Sequence, residues 1–277
     1  MIYRGNSESR NESFSLNRKK EVTSIETITS PRNPKVLEWR SLKDKKGRNE
    51  YRAFMIEGPK MVEEAFGSCF PVLSVLIRED YTPPFSIPAG VPVYILTDRV
   101  FRSVCDTITP QGIVAVTGMA EPPLRGNRLL ALDGIQDPGN MGTIIRTADA
   151  AGFGGLILSP DCVDVFSPKV VRATMGSIFR VGFSFPGSLS AALNNFRKEG
   201  WSVISSQLDG EPFYSRKSVP PPLILVVGND GNGISDDVRA AATHRFRLPM
   251  VGGAESLNAA VAAGIMMYDF IREDAKN

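Results

Sequence analysis

Three stretches of this 277-residue sequence bring together side chains able to hold a charged ligand and help move a proton. The first is Asp137-Pro-Gly-Asn140 with Arg146 further on. A guanidinium presents a planar fork of donors that can hold a phosphate in two contacts, and the Asn140 amide can both donate and accept. The second is the loop Gly228-Asn229-Asp230-Gly231-Asn232-Gly233, whose glycines let a ligand come close to the backbone. Its spacing is G-x-x-G-x-G, whereas a dinucleotide fingerprint needs G-x-G-x-x-G, and Asp230 falls where it would repel a pyrophosphate. No G-x-x-x-x-G-K-[ST] occurs, so the loop suits a neutral or cationic ligand better than a polyphosphate. The third runs through Leu248-Pro-Met250 to Glu255-Ser256-Leu257-Asn258 and continues in small residues to Gly264. Ser256 and Asn258 supply donors and acceptors at a helix start. Each stretch alone also has a plainer explanation. Asn140 caps a helix and Arg146 pairs with Asp149, or Ser256 is an N-cap and the small residues merely pack tightly.

The elements around these stretches follow from periodicity and turn chemistry. Beyond residue 128, strand-like runs at Leu129 to Asp133, Leu156 to Ser159, Ser202 to Ser206 and Leu223 to Val227 alternate with helical patterns. Those begin near Met141, Lys169, Leu189, Asp236 and Ser256. Such alternation predicts an α/β fold, a parallel sheet with helices on both faces, whose ligands bind in the loops beyond the strands' carboxyl ends. Ahead of it, helices after Pro34, at Gly58 to Phe66 and around Asp98 to Cys105, with strands at Val72 to Ile77, Val93 to Leu96 and Ile113 to Val116, predict a small α/β domain over residues 24–118. Residues 119–127, with Pro122, Pro123 and Gly126, read as a linker, and residues 128–277 as the second domain. Residues 1–23 are polar and read as a disordered basic leader.

Composition removes several classes of function. One histidine, His244, and three scattered cysteines, Cys69, Cys105 and Cys162, give no metal-ligand spacing, so no metal is expected. No uninterrupted apolar run, Leu223 to Val227 included, exceeds five residues, against roughly 20 for a membrane span. A cytoplasmic protein is expected. Residues 1–60 carry 14 Lys and Arg against 8 Asp and Glu, and the remainder 18 against 22, so basic charge is concentrated at the front. Arg32 and the run Lys43, Lys45, Lys46 and Arg48 are candidate phosphate contacts, acting by charge and counterion release; a solvated helix end is the plainer reading.

Taken together and in order, Asp137-Pro-Gly-Asn140 with Arg146, Gly228-Asn229-Asp230-Gly231-Asn232-Gly233, and Leu248-Pro-Met250 with Glu255-Ser256-Leu257-Asn258 resemble the three motifs of the SpoU/TrmH family of RNA ribose 2′-O-methyltransferases, in the SPOUT superfamily. The resemblance spans residues 128–272, and the front domain is similar, on less specific features, to the L30e-like substrate-binding domain of many members. It implies a deep trefoil knot in the C-terminal sheet, a homodimer with an active site drawn from both protomers, and S-adenosylmethionine as cofactor. Gly228, with Asn229 beside it, Leu248 and Leu257 match positions that hold the cofactor adenosine, and Met250 would wall the adenine. Arg146 would engage the RNA phosphate or the 2′-oxygen and Asn140 would fix that geometry, while Ser256 and Asn258 orient arginine and substrate. The family usually carries glutamate at the position of Asp230, so the reach of that carboxylate is one methylene shorter here. Arg32, Lys43, Lys45, Lys46 and Arg48 become RNA-binding candidates, with large-subunit ribosomal RNA favoured as substrate. A transfer RNA methyltransferase and a non-catalytic RNA-binding protein of the same fold are the alternatives.

Overall fold

The computed structural model describes residues 24–274; the expected basic leader lies outside them. The front of the chain builds a five-stranded sheet from β1 (Ile25–Ile28), β2 (Ala53–Glu57), β3 (Val72–Arg78), β4 (Val93–Leu96) and β5 (Ile113–Gly118), in the order β1-β4-β3-β5-β2. β1, β4 and β3 run parallel, and β5 pairs antiparallel with both β3 and β2. Its helices are α1 (Pro34–Ser41), α2 (Lys45–Tyr51), α3 (Pro59–Phe66) and α4 (Asp98–Val104). β1, α2 and β2 go beyond the elements expected from sequence. α2 reads Lys-Lys-Gly-Arg-Asn-Glu-Tyr, with no apolar stripe to betray it, and Arg52, in the left-handed conformation, turns it directly into β2.

The second sheet is parallel throughout: β6 (Arg128–Asp133), β7 (Gly155–Leu158), β8 (Gly182–Ser184), β9 (Ser202–Pro212), β10 (Leu223–Gly228) and β11 (His244–Arg247), in the order β11-β9-β10-β6-β7-β8. Helices α5 (Pro138–Ala150), α6 (Pro168–Thr174), α7 (Leu189–Lys198), α8 (Asp236–Ala241) and α9 (Ala259–Asp274) accompany it. Leu223, Ile224, Leu225, Val226 and Val227 are all buried, as a central strand covered on both faces requires. From β6 the chain winds outward through β7 and β8, then returns to build β9, β10 and β11 on the other side. The switch point, where ligands collect in such sheets, therefore lies between the carboxyl ends of β6 and β10.

The two sheets share one core. Phe54 of β2 packs on Phe166 at 5.0 Å between ring centroids, and Phe70 packs on Phe166 and Phe179. This contact corrects the assignment of Arg48 to RNA. Its side chain is 4% exposed and bonds Asp164 through Nε (2.9 Å) and Nη2 (2.7 Å), while Nη1 donates to the carbonyls of Leu42 and Lys43. A guanidinium so enclosed cannot reach a phosphate. Lys43 is likewise engaged, its Nζ donating to the carbonyls of Ser103 (3.0 Å) and Cys105 (2.6 Å). Arg32, Lys45 and Lys46 are exposed. No helix among the described residues is long and apolar enough to cross a membrane.

Candidate active site

Asp230 joins all three motif stretches. It leaves β10 in the loop after Gly228, a loop closed by reciprocal backbone hydrogen bonds between Asn229 and Gly233 (3.0 and 2.9 Å). Gly228 is obligatory here, because a Cβ would stand 2.3 Å from the Gly233 backbone. One Asp230 oxygen accepts from the Asn140 amide (2.5 Å) and the other from the Ala259 backbone N–H at the start of α9 (2.5 Å). The Asn140 carbonyl oxygen in turn accepts from the Asn258 side chain (2.9 Å). A carboxylate at a helix N-terminus with an amide on its other oxygen has both oxygens engaged. Its shorter side chain, compared with glutamate, still spans the gap.

The capping residues differ from expectation. Asp137 caps α5 through the Asn140 N–H (2.8 Å), so Asn140 sits inside the first turn, and its side chain is free for Asp230 and Asn258. α9 begins at Ala259 and not at Ser256, with Asn258 as its cap, bonding the Ala260 N–H (3.1 Å). Ser256 is left exposed in the preceding loop.

Beside this network opens a cavity of about 510 Å³ at the ends of β9, β10 and β11. Gly228, Asn229, Asp230, Leu248, Met250, Ser256 and Leu257 all line it, seven of the ten residues expected to form the catalytic and cofactor sites. Asn140 and Asn258 stand behind Asp230, outside the lining. Asn229 contributes backbone, since its side chain is consumed by the Gly134 carbonyl (2.7 Å) and the Gly231 N–H (2.7 Å). Arg146 does not line the cavity of its own chain. It lies exposed on α5 and is not paired with Asp149, which is taken by Arg180 (2.8 Å).

Sequence reasoning missed Gln207. Pairing of β9 with β11 jumps from Ser205↔Arg245 to Glu211↔Phe246, so residues 206–210 bulge out of the ladder, and residues 206–209 wall the cavity. Gln207 is 8% exposed, and its Oε1 has no hydrogen-bond partner among the described residues. A buried acceptor without a donor costs about 1–3 kcal/mol, which a ligand N–H or O–H would relieve. Only the strand's unusual length could have signalled it. The lining combines apolar side chains, exposed backbone and both signs of charge (Arg239 and Arg247 with Asp209 and Glu255), a donor set suited to an adenosine joined to a zwitterionic amino acid. The thiol chemistry of Cys105 is shut off, since burial pushes its pKa up to about 12, and His244 is held by the Thr243 hydroxyl and stacks on Phe246.

A parallel α/β sheet with its cavity at the carboxyl ends of the strands agrees with what the comparisons show. Residues 127–268 match the SpoU rRNA Methylase family, and residues 33–115 an MRM3-like substrate binding domain. The chain belongs to the SpoU rRNA methylase family. It is 36% identical over 245 residues to the 23S rRNA (guanosine(2553)-2'-O)-methyltransferase RlmP of Bacillus subtilis, covering 88% of this chain and 98% of the relative. Among solved structures, an AdoMet-bound rRNA methyltransferase from Sinorhizobium meliloti superimposes with a TM-score of 0.82 at 32% identity, over 90% of this chain and 98% of that one. A TrmH-family RNA methyltransferase from Porphyromonas gingivalis gives 0.80 at 36% identity, over 86% and 97%.

Proposed function

We propose that the chain transfers the methyl group of S-adenosylmethionine to a ribose 2′-hydroxyl of ribosomal RNA, in the large subunit. The observation that carries this reading is the Asp230 carboxylate, which locks three separated motif stretches together at the mouth of one cavity. When bound, the cofactor supplies an electrophilic sulfonium methyl. The backbones at Gly228, Leu248 and Leu257 hold its adenosine, Met250 walls the adenine, and Gln207 accepts a hydrogen bond from it.

A 2′-hydroxyl is a very weak acid, so it must be aligned with the methyl group and helped to lose its proton as transfer occurs. Arg146 is assigned to that oxygen and the adjacent phosphate, with Asn140, Asp230 and Asn258 fixing the substrate's approach and Ser256 facing it across the cavity. Because Arg146 stands outside its own cavity, the reading includes a homodimer in which the partner's Arg146 completes each site. The exposed Val261 and Tyr268 on α9, which packs against α5, support that pairing. The reading also includes a trefoil knot in the C-terminal segment, an L30e-like RNA-binding domain over residues 24–118, a linker at 119–127, a methyltransferase domain at 128–277 and a cytoplasmic location. Arg32, Lys45 and Lys46 remain its RNA contacts.

Incubation with methyl-labelled cofactor and unmodified 23S rRNA is expected to place label in one 2′-O-methyl nucleotide. Label in transfer RNA instead would overturn the substrate, and cofactor binding without transfer to any RNA would overturn the reaction. Replacing Gln207 by Leu is expected to weaken S-adenosylhomocysteine binding about 3- to 10-fold by calorimetry, the worth of one neutral hydrogen bond. Equal affinity would remove Gln207 from the cofactor's contacts.

A further inference from the structure

The cleft between the two sheets holds a second cavity of about 390 Å³ that the reaction does not use. One wall is α2 and its end, with Lys45, Asn49 and Arg52; the other comes from the carboxyl ends of β7 and β8, with Ser159, Phe166 and Phe185. Phe185 is 43% exposed, yet it is not a loose surface residue. Its ring stacks on Phe183 at 6.2 Å with 15° between planes and lies 6.4 Å from Phe166, both buried. The result is a half-exposed aromatic ring buttressed by two buried ones.

The charge around it is basic where it is free. Among the described residues, Lys45 is exposed without an ion pair and Arg52 meets only Glu121, at 3.9 Å. The wall's other acid, Asp164, is neutralised by Arg48. A half-exposed aromatic ring beside exposed, weakly engaged cations is the chemistry that recognises an unpaired nucleotide, because every base has a π face and its phosphates need countercharge. We propose that this cleft binds one unpaired nucleotide of the RNA, its base against Phe185 and its phosphates against Lys45 and Arg52, an inference that rests on RNA being the substrate.

The wall of the cleft and the wall of the cofactor cavity are hydrogen-bonded through one residue. The Gly134 N–H donates to Ser159 Oγ in the cleft wall (2.9 Å), and the Gly134 carbonyl accepts from Asn229 Nδ2 in the cavity wall (2.7 Å). Gly134 turns the chain off β6 with φ of +66°, a conformation that favours glycine. One strand of RNA can therefore pass from Phe185 over this turn to the methyl donor, which favours a nucleotide of the substrate over a free mononucleotide.

Fluorescence anisotropy with labelled decauridylate, the same strand in an RNA duplex, and a strand with abasic residues in place of its uracils tests the proposal. Phe185→Ala is expected to weaken decauridylate binding at least about fivefold while leaving duplex binding unchanged, and Phe185→Tyr to restore it. The abasic strand should bind the wild-type chain as weakly as decauridylate binds Phe185→Ala. Lys45→Ala should lower the slope of log affinity against log salt by about 0.7, one phosphate contact on a single strand. Calorimetry with S-adenosylhomocysteine on each variant reports an intact fold; if Phe185→Ala fails there, the abasic strand and Lys45→Ala decide. Decauridylate binding within twofold of wild type in a folded Phe185→Ala, or no difference between the uracil and abasic strands, overturns the cleft and leaves methyl transfer standing. Competition by uridine monophosphate at strand-like affinity overturns the RNA source. Strand binding that behaves as expected without methyl transfer to any RNA overturns the proposed reaction and leaves the cleft.

Discussion

Arg146→Ala is expected to reduce methyl transfer by about 10²- to 10⁴-fold, the usual worth of a group that assists proton transfer, while S-adenosylhomocysteine affinity stays within a few-fold. The separation of effects follows from position. Arg146 is exposed on α5, outside the cavity its own chain builds, so its removal leaves the cofactor's walls intact. Single-turnover transfer with saturating cofactor measures the first quantity and calorimetry the second. A variant that transfers at a comparable rate would refute the assigned role, and one that loses cofactor binding to the same degree would make Arg146 a structural residue. In a dimer with composite sites, mixing Arg146→Ala with a Gly228→Ala chain, whose added Cβ would collide with the Gly233 backbone and disrupt the cofactor loop, should restore sites carrying both intact halves. Absence of any recovery in purified mixed dimers would argue for sites built within one chain.

Asp269→Ala is expected to lower stability by about 3 kcal/mol, near the lower end for breaking a buried ion pair, or roughly 6–12 °C in Tm. Arg216 is 1% exposed, held between the rings of Phe213 (3.8 Å) and Phe270 (4.6 Å), and bonded to Asp269 at 2.8 Å. The nearby Glu273, 2.9 Å from Arg216, keeps the loss from being larger. Burial alone would push the Asp269 carboxyl up, but hydrogen bonds from Arg216 and Arg272 outweigh it and hold the group below the usual carboxylate range. Folding thus favours the ionised form. The contribution is complete above about pH 4 and fades as the pH falls through the depressed folded-state value. Urea denaturation of wild type and Asp269→Ala should give curves that converge below pH 4; a constant gap down to pH 2 would show that charge pairing is not the cause.

The parallel sheet was legible because its strands are apolar runs too short for helices and are separated by capped, periodic segments. The front sheet was legible in part. Val72–Arg78 and Ile113–Gly118 announce themselves, whereas β2 follows α2 through Arg52 with no glycine or proline to mark the change. In the candidate site, residue types and order gave seven cavity-lining positions. They could not give the contacts among Asn140, Asp230 and Asn258, whose separations of 90 and 118 residues are closed only by the fold. Arg48 misled because charge in a polar run looks solvated, and its partner, Asp164, lies 116 residues away across the sheet interface. Gln207 was invisible for the converse reason: a polar residue in a strand carries no signal until its neighbours leave it without a donor.

The junction built from Arg48, Asp164, Phe54 and Phe166 has a mechanical meaning. With ionic and aromatic contacts bracing the same seam, the distance from α2 to the cofactor cavity is set by packing across the sheet interface, and an RNA that touches both must match that span with its own shape.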